Sequence, residues 1–224
     1  MSGIWVKVGD PKGAVGEAAD SLYSRQTVMT DADGKPVPFR PGPLAIVEKR
    51  LKDAAAGHPY ASTQARCLPP GVPDMMFEFG LMEFLQTPGQ VTVLRQEFGF
   101  YRVIPLSGKH PADPDPTFMG NSVGHWEGGA LVVDTIGLTE KTGIRFIIPH
   151  TEDLHLVERY SLLPNGNMQI RATVEDPKIF TRPWDMVTEL HRLDGGLTEY
   201  ICENNRNGVD AQGNETSIMP GVSH

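Results

Sequence analysis

Four of the seven histidines fall within one stretch of the chain: His110, His125, His150 and His155. Histidine changes charge near neutral pH, so such a group points to proton transfer. His110 opens the run His-Pro-Ala-Asp-Pro-Asp-Pro, in which prolines stiffen a loop around Asp113 and Asp115. His150-Thr-Glu-Asp-Leu-His sets two histidines about an acidic pair. Arg159 follows His155 by four positions and could stabilise a developing oxyanion. The candidate catalytic set is therefore His155, Arg159, His110, Asp113 and His125. Neither HExxH nor an EF-hand loop occurs, so no metal ligands are assigned. GxGxxG and GxxxxGK[ST] are both missing, so no nucleotide cofactor is expected. Gly120-Asn-Ser-Val-Gly124 has the letters of a nucleophile elbow, but a strand signal follows it where a helix is needed.

The positions of His155 and Arg159 depend on one hairpin. Asn165-Gly166 suits a type I′ turn, since both of its central residues need positive φ. That turn sets Leu163 opposite Met168, Ser161 opposite Ile170, Arg159 opposite Ala172 and Val157 opposite Val174. Arg159 and His155 then share the apolar face, and Glu158, Tyr160, Gln169 and Arg171 face water. A buried guanidinium needs a partner. The partner is either a carboxylate that plugs the barrel end or a ligand oxygen, and a one-residue bulge would instead turn both side chains outward.

Nineteen prolines and 24 glycines cut the 224 residues into short pieces. Residues 1–66 read as irregular apart from one short helix near 44–56, which Pro43 starts and Gly57 stops. Residues 67–205 read as about nine strands, the last over Leu197–Cys202, and 206–224 as a polar tail. Tight hairpins make neighbours antiparallel. The expected fold is mainly β: a single antiparallel up-and-down β-barrel of lipocalin or calycin type, with a two-sheet sandwich as the alternative.

The formal charge of −8 and pI near 5.3 speak against nucleic acid as a partner. No apolar run is long enough for a spanning helix, so no membrane partner is expected. The N-terminus lacks the features of a signal peptide. A cytoplasmic location follows as the sequence stands, or a periplasmic or secreted one if an export signal was trimmed. Cys67 and Cys202 are two free thiols or one disulfide.

Several segments resemble the signature of a large, poorly characterised bacterial family. They are Cys67-Leu-Pro-Pro-Gly71, His110 to Pro116, Gly120-Asn-Ser-Val-Gly-His-Trp-Glu-Gly-Gly-Ala-Leu-Val-Val-Asp-Thr135, His155-Leu-Val-Glu-Arg159, Asp176-Pro-Lys-Ile-Phe-Thr-Arg-Pro-Trp184 and Glu199-Tyr-Ile-Cys-Glu-Asn-Asn205. Gly3-Ile4-Trp5 is also similar to the opening of lipocalin-like barrels. Because many relatives look exported, the resemblance implies a Cys67–Cys202 disulfide. It brings no activity with it, and His125 stands where relatives often carry Arg.

The reading that follows is a cofactor-independent lyase, dehydratase or isomerase. Its histidines would act on a small, mostly apolar, aromatic or cyclic substrate in the barrel. The alternatives are a non-catalytic lipocalin-like binding protein and a metal-dependent hydrolase built on the His110 and His150 segments. A homo-oligomer stays open.

Overall fold

A computed structural model describes residues 1–8, 24–78, 80–200, 208–209 and 215–216. Nine strands form one antiparallel sheet: β1 (Gly3–Lys7), β2 (Leu81–Thr87), β3 (Gln90–Arg95), β4 (Tyr101–Pro105), β5 (Asn121–Glu127), β6 (Ala130–Ile136), β7 (His155–Leu162), β8 (Met168–Glu175) and β9 (Trp184–Leu193). Their order is β4-β3-β2-β1-β9-β8-β7-β6-β5. The mainly β, antiparallel expectation holds. No hydrogen-bonded ladder joins β4 to β5, so the sheet is not closed in that sense. Among the described residues, no helix is long and apolar enough to cross a membrane.

Strand β1 corrects the expectation of an irregular N-terminus. It lies between β2 and β9 and joins the β2–β4 meander to the β5–β9 meander. Ile4, Trp5 and Val6 are all buried. Consecutive burial erases the period-two alternation by which a strand is read, and only neighbours on both edges make it stable. The ninth strand expected at Leu197–Cys202 is not formed at 197–200, and Cys202 lies outside the described residues. Most of the tail also lies outside them, apart from a pairing of Gly208–Val209 with Glu215–Thr216.

One short helix was expected and, among the described residues, three α-helices occur: α1 (Arg25–Met29), α2 (Pro41–Ala55) and α3 (Asp74–Phe77). Helix α2 begins three residues before the expected start, because Pro41 and Pro43 both fit a first turn whose N–H groups need no intrahelical acceptor. Val47 and Leu51, one turn apart, are its buried residues.

The β7–β8 register differs from expectation by one residue and exchanges the faces of β7. Leu162 pairs with Met168, Tyr160 with Ile170, Glu158 with Ala172 and Arg159 with Arg171. Pro164 is the reason. Its locked φ suits the first central position of an ordinary turn, which spans Leu163–Gly166 and is closed by Gly166 N–H donating to Leu163 O (3.0 Å). Gly166 alone takes positive φ (85°), as in a three-residue loop with a glycine bulge. Leu156, Glu158 and Tyr160 therefore point inward, while His155, Arg159 and Ser161 point outward.

The inner face carries Phe84, Val93, Ile104, Leu131, Val133, Tyr160, Ile170 and Leu190, all fully buried. Phe84 and Tyr160 meet edge to face, 6.0 Å apart. At Gly124 on β5, a Cβ would sit 2.8 Å from Ile104 Cγ2 on β4, so the missing side chain lets the two outermost strands approach.

Candidate functional site

The residues selected from sequence divide into two groups. His110 and His155 come together on the outer face, on either side of Asp134 of β6. His110 Nε2 lies 2.9 Å from Asp134 Oδ1, and His155 Nε2 lies 3.1 Å from Oδ2. His110 Nδ1 lies 2.7 Å from Asn121 Oδ1, and His155 Nδ1 lies 3.6 Å from Glu175 Oε2. The set is open to solvent: the Asp134 side chain is 41% exposed. Arg159 does not join it. Its guanidinium pairs with Glu127 Oε1 (3.2 Å) and donates to Glu127 O (3.2 Å). His125 is exposed, 3.8 Å from Glu127 Oε2, and Asp113 is exposed on its loop. The premise that His155 and Arg159 look into the core is corrected by the one-residue register change.

Through Asn121 and Asp134, His110 fastens the proline loop to the sheet. His110→Ala is expected to cost about 1–2 kcal/mol, the worth of hydrogen bonds to partly exposed groups. Amide exchange should quicken across residues 107–116 and stay unchanged in β6 and β7. Equal protection of that loop in both proteins would count against the fastening role.

The interior holds a different polar group. Arg102 of β4, buried, makes a two-pronged pair with Glu158 (NH2 to Oε2 2.5 Å, NH1 to Oε1 3.1 Å). Its Nε donates to Ser122 Oγ (3.1 Å) and NH2 donates to Thr135 Oγ1 (2.8 Å). Tyr160 Oη donates to Glu158 Oε1 (2.9 Å). Burial alone would lower the Arg102 pKa, but the Glu158 carboxylate outweighs it and the net shift is upward. Both sides are satisfied, as a low-dielectric interior demands. This network fills the space between the strands and reads as structure.

The third polar group lines a cleft. Asp74, first residue of α3, accepts from Arg145 N (2.7 Å, Oδ1) and Phe146 N (2.6 Å, Oδ2). Arg145 and Phe146 both have positive φ, 50° and 65°, a conformation that costs non-glycine residues free energy and clusters at functional sites. The Arg145 guanidinium donates to the carbonyls of Thr27, Val28 and Thr30 and lies over the Trp184 ring, 5.0 Å from its centroid. Burial lowers the pKa of Arg145 to about 10 against the pull of Asp74.

Glu78, four residues after Asp74, is also buried. Its Oε2 accepts from Gln64 Nε2 (2.6 Å), Arg95 NH2 stands 3.8 Å away, and its Oε1 has no hydrogen-bond partner. Burial pushes Glu78 up to about 8, opposed by Arg95 and reinforced by Asp74. Burial likewise pushes Asp74 up to about 7, against its two N–H donors. Lys7 Nζ, at the end of β1, donates to Phe77 O (3.0 Å). Lys7, Asp74, Glu78 and Arg145 line a cavity of about 80 Å³ with apolar walls that include Phe77, Phe146 and Met186. Two buried carboxyl groups with raised proton affinity in a partly apolar cleft are the setting in which side chains exchange protons with a ligand.

No protein-family model matches the sequence, and no curated protein matches it.

Sequence reading missed Asp74, Glu78 and Lys7. The signal for Asp74 was an acid inside the apolar run Val-Pro-Asp-Met-Met-Phe. Lys7 carries no signal, because only the pairing of β1 brings it to α3. Cys67 stands in a disulfide, and Cys202 is the only other cysteine in the sequence.

Proposed function

We propose that the chain is an enzyme of lyase or isomerase class that moves protons to and from a small carbonyl-bearing molecule held over Asp74 and Glu78. The observation that carries this reading is the Glu78 carboxyl: buried, with one oxygen unpartnered, beside a second carboxyl in the same cleft. Asp74, whose oxygens accept two backbone N–H groups, is the base. Glu78, protonated near neutral pH, is the acid. Chemistry of this kind runs on two side chains and needs no cofactor for the proton steps. The enclosed volume of about 80 Å³ is about half that of a cavity known to hold benzene. The reacting end is therefore smaller than an aromatic ring, and the rest of the molecule extends outward.

The same proposal takes the nine strands as a closed, lipocalin-like barrel with its seam at β4–β5. Support comes from Arg102, which crosses the seam from β4 to Ser122 of β5. The disulfide at Cys67 supports a compartment that permits disulfides.

The test is deuterium exchange at the carbon next to the carbonyl. Propanal, butanone, pyruvate and cyclopentanone are incubated with the protein in D₂O and followed by NMR. At least one should exchange faster than in buffer, and Glu78→Gln should slow it by about a hundredfold or more, the range for a lost acid/base group. Exchange at the buffer rate throughout, or exchange unchanged by Glu78→Gln, overturns the proposal.

A further inference from the structure

Arg145 lines the Asp74–Glu78 cleft, yet among the described residues no carboxylate pairs with its guanidinium. The hydrogen bonds to the carbonyls of Thr27, Val28 and Thr30 all leave from NH1. Nε and NH2, which share one edge of the guanidinium, donate to no described residue. Burial nevertheless lowers the Arg145 pKa to about 10, so the charge has lost water without gaining an ion pair. A desolvated charge of this kind is costly until an anion of matching geometry meets it.

A second donor without an acceptor stands beside it. The Trp184 indole N–H is buried and has no hydrogen-bond partner, and its ring centroid lies 5.0 Å from the guanidinium carbon of Arg145. Trp184 and Met186 are both buried two positions apart on β9, which puts them on one face, and Met186 lines the cleft. Unused donors therefore gather on the Arg145 side of the cleft, whose other polar lining includes the unpartnered Glu78 Oε1. A carboxylate is the anion that fits the free edge of a guanidinium, because its two coplanar oxygens accept two parallel N–H groups. The cavity of about 80 Å³ limits the chain that follows to a few atoms.

We propose that Arg145 binds the carboxylate of a short oxo acid and so sets its carbonyl group over Asp74 and Glu78, an inference that rests on the proton-transfer reading above. Arg145 binds and orients, and takes no part in moving protons. Its backbone N–H is already held by Asp74 Oδ1 at 2.7 Å, which ties the anchoring residue to the proposed base. An ionised Glu78 would repel the incoming carboxylate, and its proton affinity, raised to about 8, keeps it neutral near pH 7.

The experiment compares propanoate with propanamide, which have nearly the same shape and differ in charge. Each is titrated at pH 7 into the whole ¹⁵N-labelled chain and followed by NMR. Propanoate should shift the Arg145 Nε–H signal and the backbone amides of Arg145 and Phe146, and bind at least about tenfold tighter than propanamide, the fold-change of one charge-assisted hydrogen bond. Arg145→Lys keeps the charge but loses the fork, and should remove that preference. Because Arg145 also ties down α1, the wild-type titration decides. Equal affinity for the two compounds, or propanoate shifts that leave Arg145 and Phe146 unmoved, overturns the carboxylate site. If that happens while Glu78-dependent deuterium exchange of butanone persists, the anchor fails and the acid/base reading stands. If propanoate binds selectively at Arg145 but no carbonyl compound exchanges faster than in buffer, the acid/base reading fails and the carboxylate site stands.

Discussion

Replacing Arg102 by Met destabilises the protein by about 3–5 kcal/mol, the cost of leaving a buried charge without its partner. For a chain of this size that lowers the melting temperature by roughly 10 °C. Glu158 is buried and receives two of its hydrogen bonds from Arg102, so the single substitution leaves a carboxylate that only Tyr160 contacts. Ser122 and Thr135 lose their guanidinium as well. The double variant Arg102→Met/Glu158→Gln removes both charges and should recover part of the loss. The difference between the single and double variants, read by urea denaturation, isolates the pair. A loss below about 1 kcal/mol for Arg102→Met alone would mean that Glu158 finds water or another donor, and that the buried pair contributes little to stability.

The second large effect is on the pH dependence of stability. Glu78 has a proton affinity raised from 4.5 to about 8 on folding, and Asp74 one raised from 3.8 to about 7, both chiefly through burial. A raised pKa means that the folded state binds more protons than the unfolded chain, so stability falls as pH rises. The contribution of Glu78 is fully present below about pH 4.5 and is lost by about pH 8. The Asp74 contribution is lost between about 3.8 and 7. Each tenfold change in proton affinity corresponds to about 1.4 kcal/mol, so the pair costs several kcal/mol over this window. Melting should be roughly 5–10 °C lower at pH 8.5 than at pH 5.5. Glu78→Gln keeps the shape and the Gln64 contact side but cannot ionise, and it should flatten that slope. A slope unchanged in Glu78→Gln would show that Glu78 ionises as freely in the folded protein as in the unfolded one.

The two effects bear on separate parts of the molecule. Arg102 acts from the interior of the sheet, where every polar atom it meets is satisfied. Glu78 acts at the cleft, where one oxygen is not. A network without vacancies contributes stability, while a buried acid with a vacant oxygen costs it. That contrast is the physical reason for seeking chemistry at the cleft.

Much of the fold was legible from local chemistry. Strands β2 to β9 follow from short alternating runs separated by glycine and proline turns, and helix α2 follows from its starting prolines and the stop at Gly57. The meeting of His110 and His155 was not predicted as such, although both residues had been singled out. Asp134, which joins them, went unnoticed because a lone aspartate in a Val-rich strand looks like any outward-facing polar residue. Asn165-Gly166 alone points to a β7–β8 register one residue away from the observed one, because the fixed φ of Pro164 shifts the turn. A period of two makes that shift an exchange of faces, so one proline decides that Glu158 and Tyr160 are inside and Arg159 is outside.

By itself, the sequence determined strands β2 to β9, helix α2, the antiparallel order of the hairpins and the mainly β class, because those depend on neighbours a few residues apart. Only the tertiary structure decided where the chemistry lies. The pairing of Gly3–Lys7 between β2 and β9 spans most of the chain and brings Lys7 to Asp74 and Glu78. The proton affinities of those acids depend on burial, which no run of neighbouring residues encodes. Arg102 meets Glu158 only in the folded molecule, since β4 and β7 lie far apart in the strand order.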